Sequence, residues 1–72
     1  MHTYLVIFER GGDGSWGAYA PDLPGLGVGA ETREEVATLI REGIALHIAG
    51  LREDGLPIPE PTTQAELISV AA

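Results

Sequence analysis

Every position from Tyr4 to Phe8 is apolar or aromatic. Residues 3–9 combine β-branched and aromatic side chains and run into a turn cluster, Gly11, Gly12, Asp13 and Gly14, which predicts a first strand. Alternation puts Leu5 and Ile7 on one face and Tyr4, Val6 and Phe8 on the other. Both faces are apolar, the pattern of a strand central in its sheet and covered on both sides. Ser15 to Ala20 predicts a second strand, antiparallel to the first across the glycine-rich turn. Trp16, Ala18 and Ala20 share one of its faces, Gly17 and Tyr19 the other. Pro21 lacks a backbone donor and ends this strand or places it at an edge. Pro24 and Gly25 suit a tight turn, and Leu26 to Gly29 predicts a short third strand.

The period then changes from two to 3.6. Thr32 followed by Glu35 has the spacing of a capping box, in which the Thr32 hydroxyl accepts from the Glu35 amide and the Glu35 carboxylate reaches back. Glu34 and Glu35 suit the positive end of the helix dipole. The helix is predicted from about Arg33 to Asp54, with Gly55 as a left-handed cap and Pro57 preventing continuation. Val36, Ile40, Gly43, His47 and Leu51 form one stripe, bordered by Leu39, Leu46 and Gly50 on one side and Ile44 and Ile48 on the other. That stripe is wider than one sheet contact needs and calls for a second packing partner. Gly43 and Gly50 lie near its centre, kept for close backbone approach to the sheet or merely tolerated.

Leu56 to Pro61 carries three prolines and predicts a stiff, extended connector. Ala65 to Val70 predicts a last strand, with Leu67 on one face and Glu66, Ile68 and Val70 on the other. No internal repeat or domain boundary interrupts the chain, so residues 1–72 read as a single domain. The fold class is α+β, in the order β-β-β-α-β: a small antiparallel or mixed sheet with one helix packed on one face. One helix leaves the other sheet face partly uncovered. Either Tyr4, Val6 and Phe8 or Leu5 and Ile7 are then exposed on an isolated monomer, and an apolar patch of this kind marks an interface. The interface candidates are Tyr4, Val6, Phe8, Trp16, Tyr19, Ile44 and Ile48.

Composition strengthens that expectation. With 72 residues and no cysteine, the chain has neither a disulfide route to stability nor a thiolate metal site. A core this small rarely supplies more than about 3–5 kcal/mol of net stability. Association is the remaining route, so a homo-oligomer, a dimer or tetramer, is expected. Eleven carboxylates against four arginines and no lysine give a formal charge of −7. Such a surface repels phosphate backbones and disfavours direct nucleic-acid binding. It either aids solubility or complements a basic protein partner. The short apolar run at the N-terminus is neither a signal sequence nor a membrane span, which points to the cytoplasm and to no membrane partner.

Chemistry is thinly represented. His2 and His47 are the only histidines, and neither belongs to a cluster at metal-ligand spacing. His47, in mid-stripe, reads as a core or interface histidine. Ser15 and Ser69 have no triad partner nearby. The run Gly25 to Gly29 lacks the lysine and the spacing of a phosphate loop and reads as turn and tight packing. Asp22, at a strand end, reads first as a turn cap, and Glu9 is the one carboxylate that could approach it in space. No catalytic residue, cofactor or metal site is assigned.

Three stretches form a recognisable series: WGAYAPDLPG at residues 16–25, GAETREEV at 29–36 and DGLPIPEP at 54–61. Their order and spacing resemble the HicB-like antitoxin family over essentially the whole chain. The matching positions are Pro21, Asp22, Leu23, Pro24, Gly25, Thr32, Glu35, Gly55, Pro57 and Pro59. The resemblance implies a truncated RNase H-like fold of three strands, a helix and a further strand. It also implies a partner, a small basic HicA-type toxin that cleaves mRNA and whose active site the antitoxin covers. Many relatives carry a C-terminal helix-turn-helix or ribbon-helix-helix segment. This chain ends at Ala72, so it is read as a short form that does not bind DNA by that means. Leu26 stands where many relatives have cysteine. RNase H enzymes hold metal with acidic residues in the first strand, where this chain has Leu5, Val6, Ile7 and Phe8, so it is not read as an enzyme. Two alternatives stay open. One is a stand-alone homo-oligomer with another binding function. The other is a small metal-dependent nuclease using Asp22, Glu9 or His47.

Overall fold

The computed structural model describes residues 2–71. The glycine-rich cluster folds the first two strands into a hairpin. The Gly11 amide donates to the Ser15 carbonyl at 2.8 Å, and Gly14 adopts a left-handed φ of 88° that only glycine takes without strain. β1 (Ile7–Arg10), β2 (Trp16–Tyr19) and β3 (Gly27–Ala30) form one sheet in the order β1-β2-β3, each pair antiparallel. Pro24 and Gly25 turn β2 into β3: Gly25 sits at φ 85° and the Leu26 amide donates to the Leu23 carbonyl at 3.2 Å. Proline before a positive-φ glycine is the sequence of a type II turn.

α1 (Arg33–Glu53) begins and ends where the sequence predicts, within one residue. The Thr32 hydroxyl accepts from the Glu35 amide at 3.1 Å, the predicted cap. The reciprocal half differs: the Glu35 carboxylate accepts from the Thr32 hydroxyl at 3.0 Å, the side chain rather than the Thr32 amide being its partner. At the other end, the Leu56 amide donates to the Leu51 carbonyl and the Gly55 amide to the Arg52 carbonyl, with Gly55 at φ 67°. This paired closure is a Schellman motif, which satisfies carbonyls the helix leaves over.

Register fixes which side chains share a face. Phe8 lies opposite Ala18, and Ala18 opposite Val28, so all three point the same way. That face meets the helix. Ala18, Val36 and Ile40 form the buried cluster, with Val6, Phe8, Trp16, Leu26, Val28, Ala30 and Ile44 packed against it. Leu23, in the turn after β2, is also completely buried. The opposite sheet face carries Ile7 and Tyr19, with Gly17, Gly27 and Gly29 between them and Leu5 just before β1, two residues from Ile7, and no helix among the described residues covers it.

Two expectations are corrected. The first strand is not central: β2 occupies the middle, and β1 is an edge whose outer backbone groups have no strand beside them among the described residues. Its two apolar faces therefore reflect helix packing on one side and an uncovered sheet face on the other. The last strand does not form. Residues 64–71 run without strand pairing and lie wholly exposed, Leu67 at 102% and Val70 at 81%. The alternation there is strand-like, but a strand needs a partner and this segment reaches none within its own chain. The radius of gyration, 14.1 Å, exceeds the roughly 11 Å of a compact chain of this length. The excess fits a projecting arm.

Candidate functional site

The helix sits over β2 and β3 and leaves β1 at its flank. Between β1 and α1 runs an open groove of about 270 Å³ lined by Val6, Phe8, Ala37, Ile40, Arg41 and Ile44. Five of these six are apolar, and Arg41 supplies the one charge. The Arg33 guanidinium lies over the Phe8 ring at 4.1 Å from its centroid, a cation–π contact that fixes the aromatic against the first helical turn. The groove borders the free edge of β1, so one surface offers apolar side chains and unpaired backbone groups together.

The interface candidates therefore separate. Val6, Phe8 and Ile44 pack against the core on one side and line the groove on the other. Trp16 packs against the same core and is half-buried, but it does not line the groove. Tyr19, 39% exposed, belongs to the uncovered sheet face with Leu5 and Ile7. Ile48 is half-buried one turn beyond Ile44 on the helix. Tyr4 lies outside β1, half-buried, its ring stacked near that of His2 at 6.0 Å and its hydroxyl donating to the Pro59 carbonyl. Burial, and then the charges of Glu60 and Asp22, push the Tyr4 hydroxyl above its ordinary pKa.

Asp22 is occupied. One carboxylate oxygen accepts from the Thr62 and Thr63 amides at 2.9 Å each, and the other from the Thr63 hydroxyl at 2.6 Å and the Thr62 hydroxyl at 3.3 Å. The Thr63 hydroxyl first, then its amide, hold the Asp22 carboxyl below its ordinary pKa of 3.8. This carboxylate acts as a clamp on the start of the C-terminal arm, forty residues on. Sequence reasoning missed Thr62 and Thr63. The only signal was two hydroxyl residues directly after a proline-rich connector. Glu9 is exposed opposite Gly17, toward the hairpin turn, whereas Asp22 follows the other end of β2, so register keeps the two apart. His47 is half-buried on the helix. Among the described residues no three His, Asp or Glu side chains group closely enough to hold a metal ion. A second, polar cleft holds Asp13, Gly14, Ser15 and Glu31, where the Ser15 hydroxyl and then its amide lower the Asp13 pKa. No helix of the described residues is long and apolar enough to cross a membrane.

Residues 4–71 match a family described as the HicB-like antitoxin of bacterial toxin–antitoxin systems. A UPF0150 protein of Synechocystis sp. is 30% identical over 70 residues, spanning 97% of this chain and 89% of that protein. No solved structure gives a significant match.

Proposed function

This chain belongs to the HicB-like antitoxin family, and from that premise we propose that it acts as an antitoxin in the cytoplasm, oligomerising and neutralising a small basic HicA-type toxin. The family match over nearly the whole chain carries this reading. The formal charge of −7 supports it, because complementary charge steers a basic partner onto an acidic surface. The uncovered sheet face supports a place for the contact. Leu5, Ile7 and Tyr19 present apolar area there, Glu9 extends it with a carboxylate, and the glycines leave the backbone open to close approach. Two of the four arginines, Arg33 and Arg41, lie on the groove side instead. A basic ribonuclease is therefore better received on the sheet face, its RNA-cleaving site covered by the antitoxin.

The test is inhibition. A small basic HicA-type toxin from the same genome is expressed and its RNA cleavage followed as this chain is added. Cleavage should stop near a stoichiometric ratio. Ile7→Asp, which puts a charge on the uncovered face, should weaken inhibition at least tenfold while circular dichroism stays helical. Undiminished cleavage in excess antitoxin refutes the reading, and full inhibition by Ile7→Asp refutes the assigned face.

A further inference from the structure

We propose that the C-terminal arm is a strand exchanged between two copies, residues 65–71 of one chain adding to the free edge of β1 and filling the β1–α1 groove of the other. This refines the oligomerisation just proposed by naming the segment and its receptor. The arm has the composition of a strand and no partner in its own chain. Ile68 is 74% exposed and Leu67 wholly so, a poor resting state for apolar side chains in water. The Asp22 clamp fixes where the arm departs, and no glycine or proline follows Pro61 to turn it back onto its own sheet.

The receptor has matching chemistry. β1 is an edge with unpaired backbone groups, the condition for strand addition. Val6 and Phe8 stand two residues apart on its groove side, the same spacing as Ile68 and Val70 on one face of the arm. Glu66 shares that face, and Arg41 is the charged member of the groove. On the other arm face Leu67 extends the apolar surface of Leu5 and Ile7. Arg41 and Arg33 beside the groove disfavour a basic protein there and favour an acidic segment. A second copy brings one arm and one groove, so two copies satisfy each other reciprocally and close with two-fold symmetry.

The purified chain is tested alone, without any toxin, so this inference and the antitoxin reading can fail separately. Light scattering on the full chain should give at least twice the 7.6 kDa monomer mass. Deleting residues 65–72, which keeps the clamp, should lower that mass to a single chain, with the helical spectrum retained. Ile68→Asp should do the same in the full-length chain, because that side chain is exposed in the single protomer and its change leaves the protomer's fold intact. The absence of cysteine makes cross-linking specific. Chains carrying Val6→Cys and chains carrying Ile68→Cys, mixed, refolded and treated with a short bis-maleimide, should link as heterodimers. A full chain of monomer mass, a mass unchanged by both arm variants, or no heterodimer linkage between the mixed chains overturns the proposal.

Discussion

Alanine at Gly50 and alanine at Gly43 should have different effects, although both glycines lie seven residues apart on the same helix. Glycine in a helix interior is about 0.8–1.0 kcal/mol less favourable than alanine, so each substitution begins with the same gain. At Gly50 a β-carbon meets nothing within 4 Å, and the whole gain should appear. At Gly43 the same atom comes to 3.1 Å from Leu26 Cδ1 and 3.9 Å from Val28 Cγ1. Leu26 is half-buried and its methyl is the end of a flexible side chain, so it can yield by leaving its preferred rotamer. A displaced rotamer costs about 0.5–1.5 kcal/mol, which leaves Gly43→Ala between about 0.5 kcal/mol gained and about 0.7 kcal/mol lost. For a domain of this size 1 kcal/mol moves the melting temperature by about 4–8 °C. Gly50→Ala should therefore melt about 3–8 °C higher than the parent by circular dichroism, at one fixed protein concentration. Gly43→Ala should melt no more than about 4 °C above the parent and no more than about 6 °C below it. Gly43→Val should fall below it, since a branched side chain meets β3 directly. A Gly50→Ala variant that melts no higher than the parent refutes the reasoning, as does a Gly43→Ala gain equal to that at Gly50.

Thr32→Ala removes the acceptor for the Glu35 amide and should cost about 1 kcal/mol, read as a lower urea midpoint with unchanged slope. Leu23→Ala empties a fully buried position and should cost about 2–5 kcal/mol, enough to unfold a chain whose whole stability is of that order. A folded Leu23→Ala protein with a near-parental melt would show that the turn repacks. The Asp22 clamp should be pH-dependent with a definite sign. Its carboxyl has a folded pKa below 3.8, so its contribution is present above that value and is lost as pH falls through the folded pKa. The Thr62 and Thr63 amide resonances should therefore titrate with a midpoint below 3.8, and movement centred at or above 3.8 contradicts the clamp.

Local signals in the sequence located the elements well. Thr32, Gly55 and Pro57 bracket the helix because capping and termination are short-range chemistry. Pro24 and Gly25 locate the turn for the same reason. Tertiary position was not legible. The apolar run from Tyr4 to Phe8 reads as a central strand, yet only the order of pairing puts β2 in the middle and leaves β1 at the edge. Alternation puts Trp16 and Ala18 on one strand face, but only the register of Trp16 with Ala30 and the packing behind it show that this face meets the helix. The face question that alternation left open is decided by Ala18, opposite Phe8, which meets Val36 and Ile40. The Asp22 clamp joins residues forty apart and no spacing rule reaches that far. Ala65 to Val70 has the pattern of a strand, and pattern alone does not supply the neighbour that would make it one.

The glycines of the uncovered sheet face separate two properties that usually change together. β-carbons built at Gly17, Gly27 and Gly29 meet only backbone oxygens, at 3.6, 3.8 and 3.7 Å, ordinary van der Waals distances, and none of the three has a positive φ. Alanine at these positions neither crowds the protomer nor strains its backbone. The same methyl groups would stand up beside Ile7, Glu9 and Tyr19, where bare main chain now lies between those side chains. Selection acting on folding would favour alanine at these three sites by about 0.5–1 kcal/mol each, while selection acting on fit to a partner sees each added carbon. Substitution there would change which proteins this chain fits while raising, not lowering, its melting curve, so the two selections pull in opposite directions.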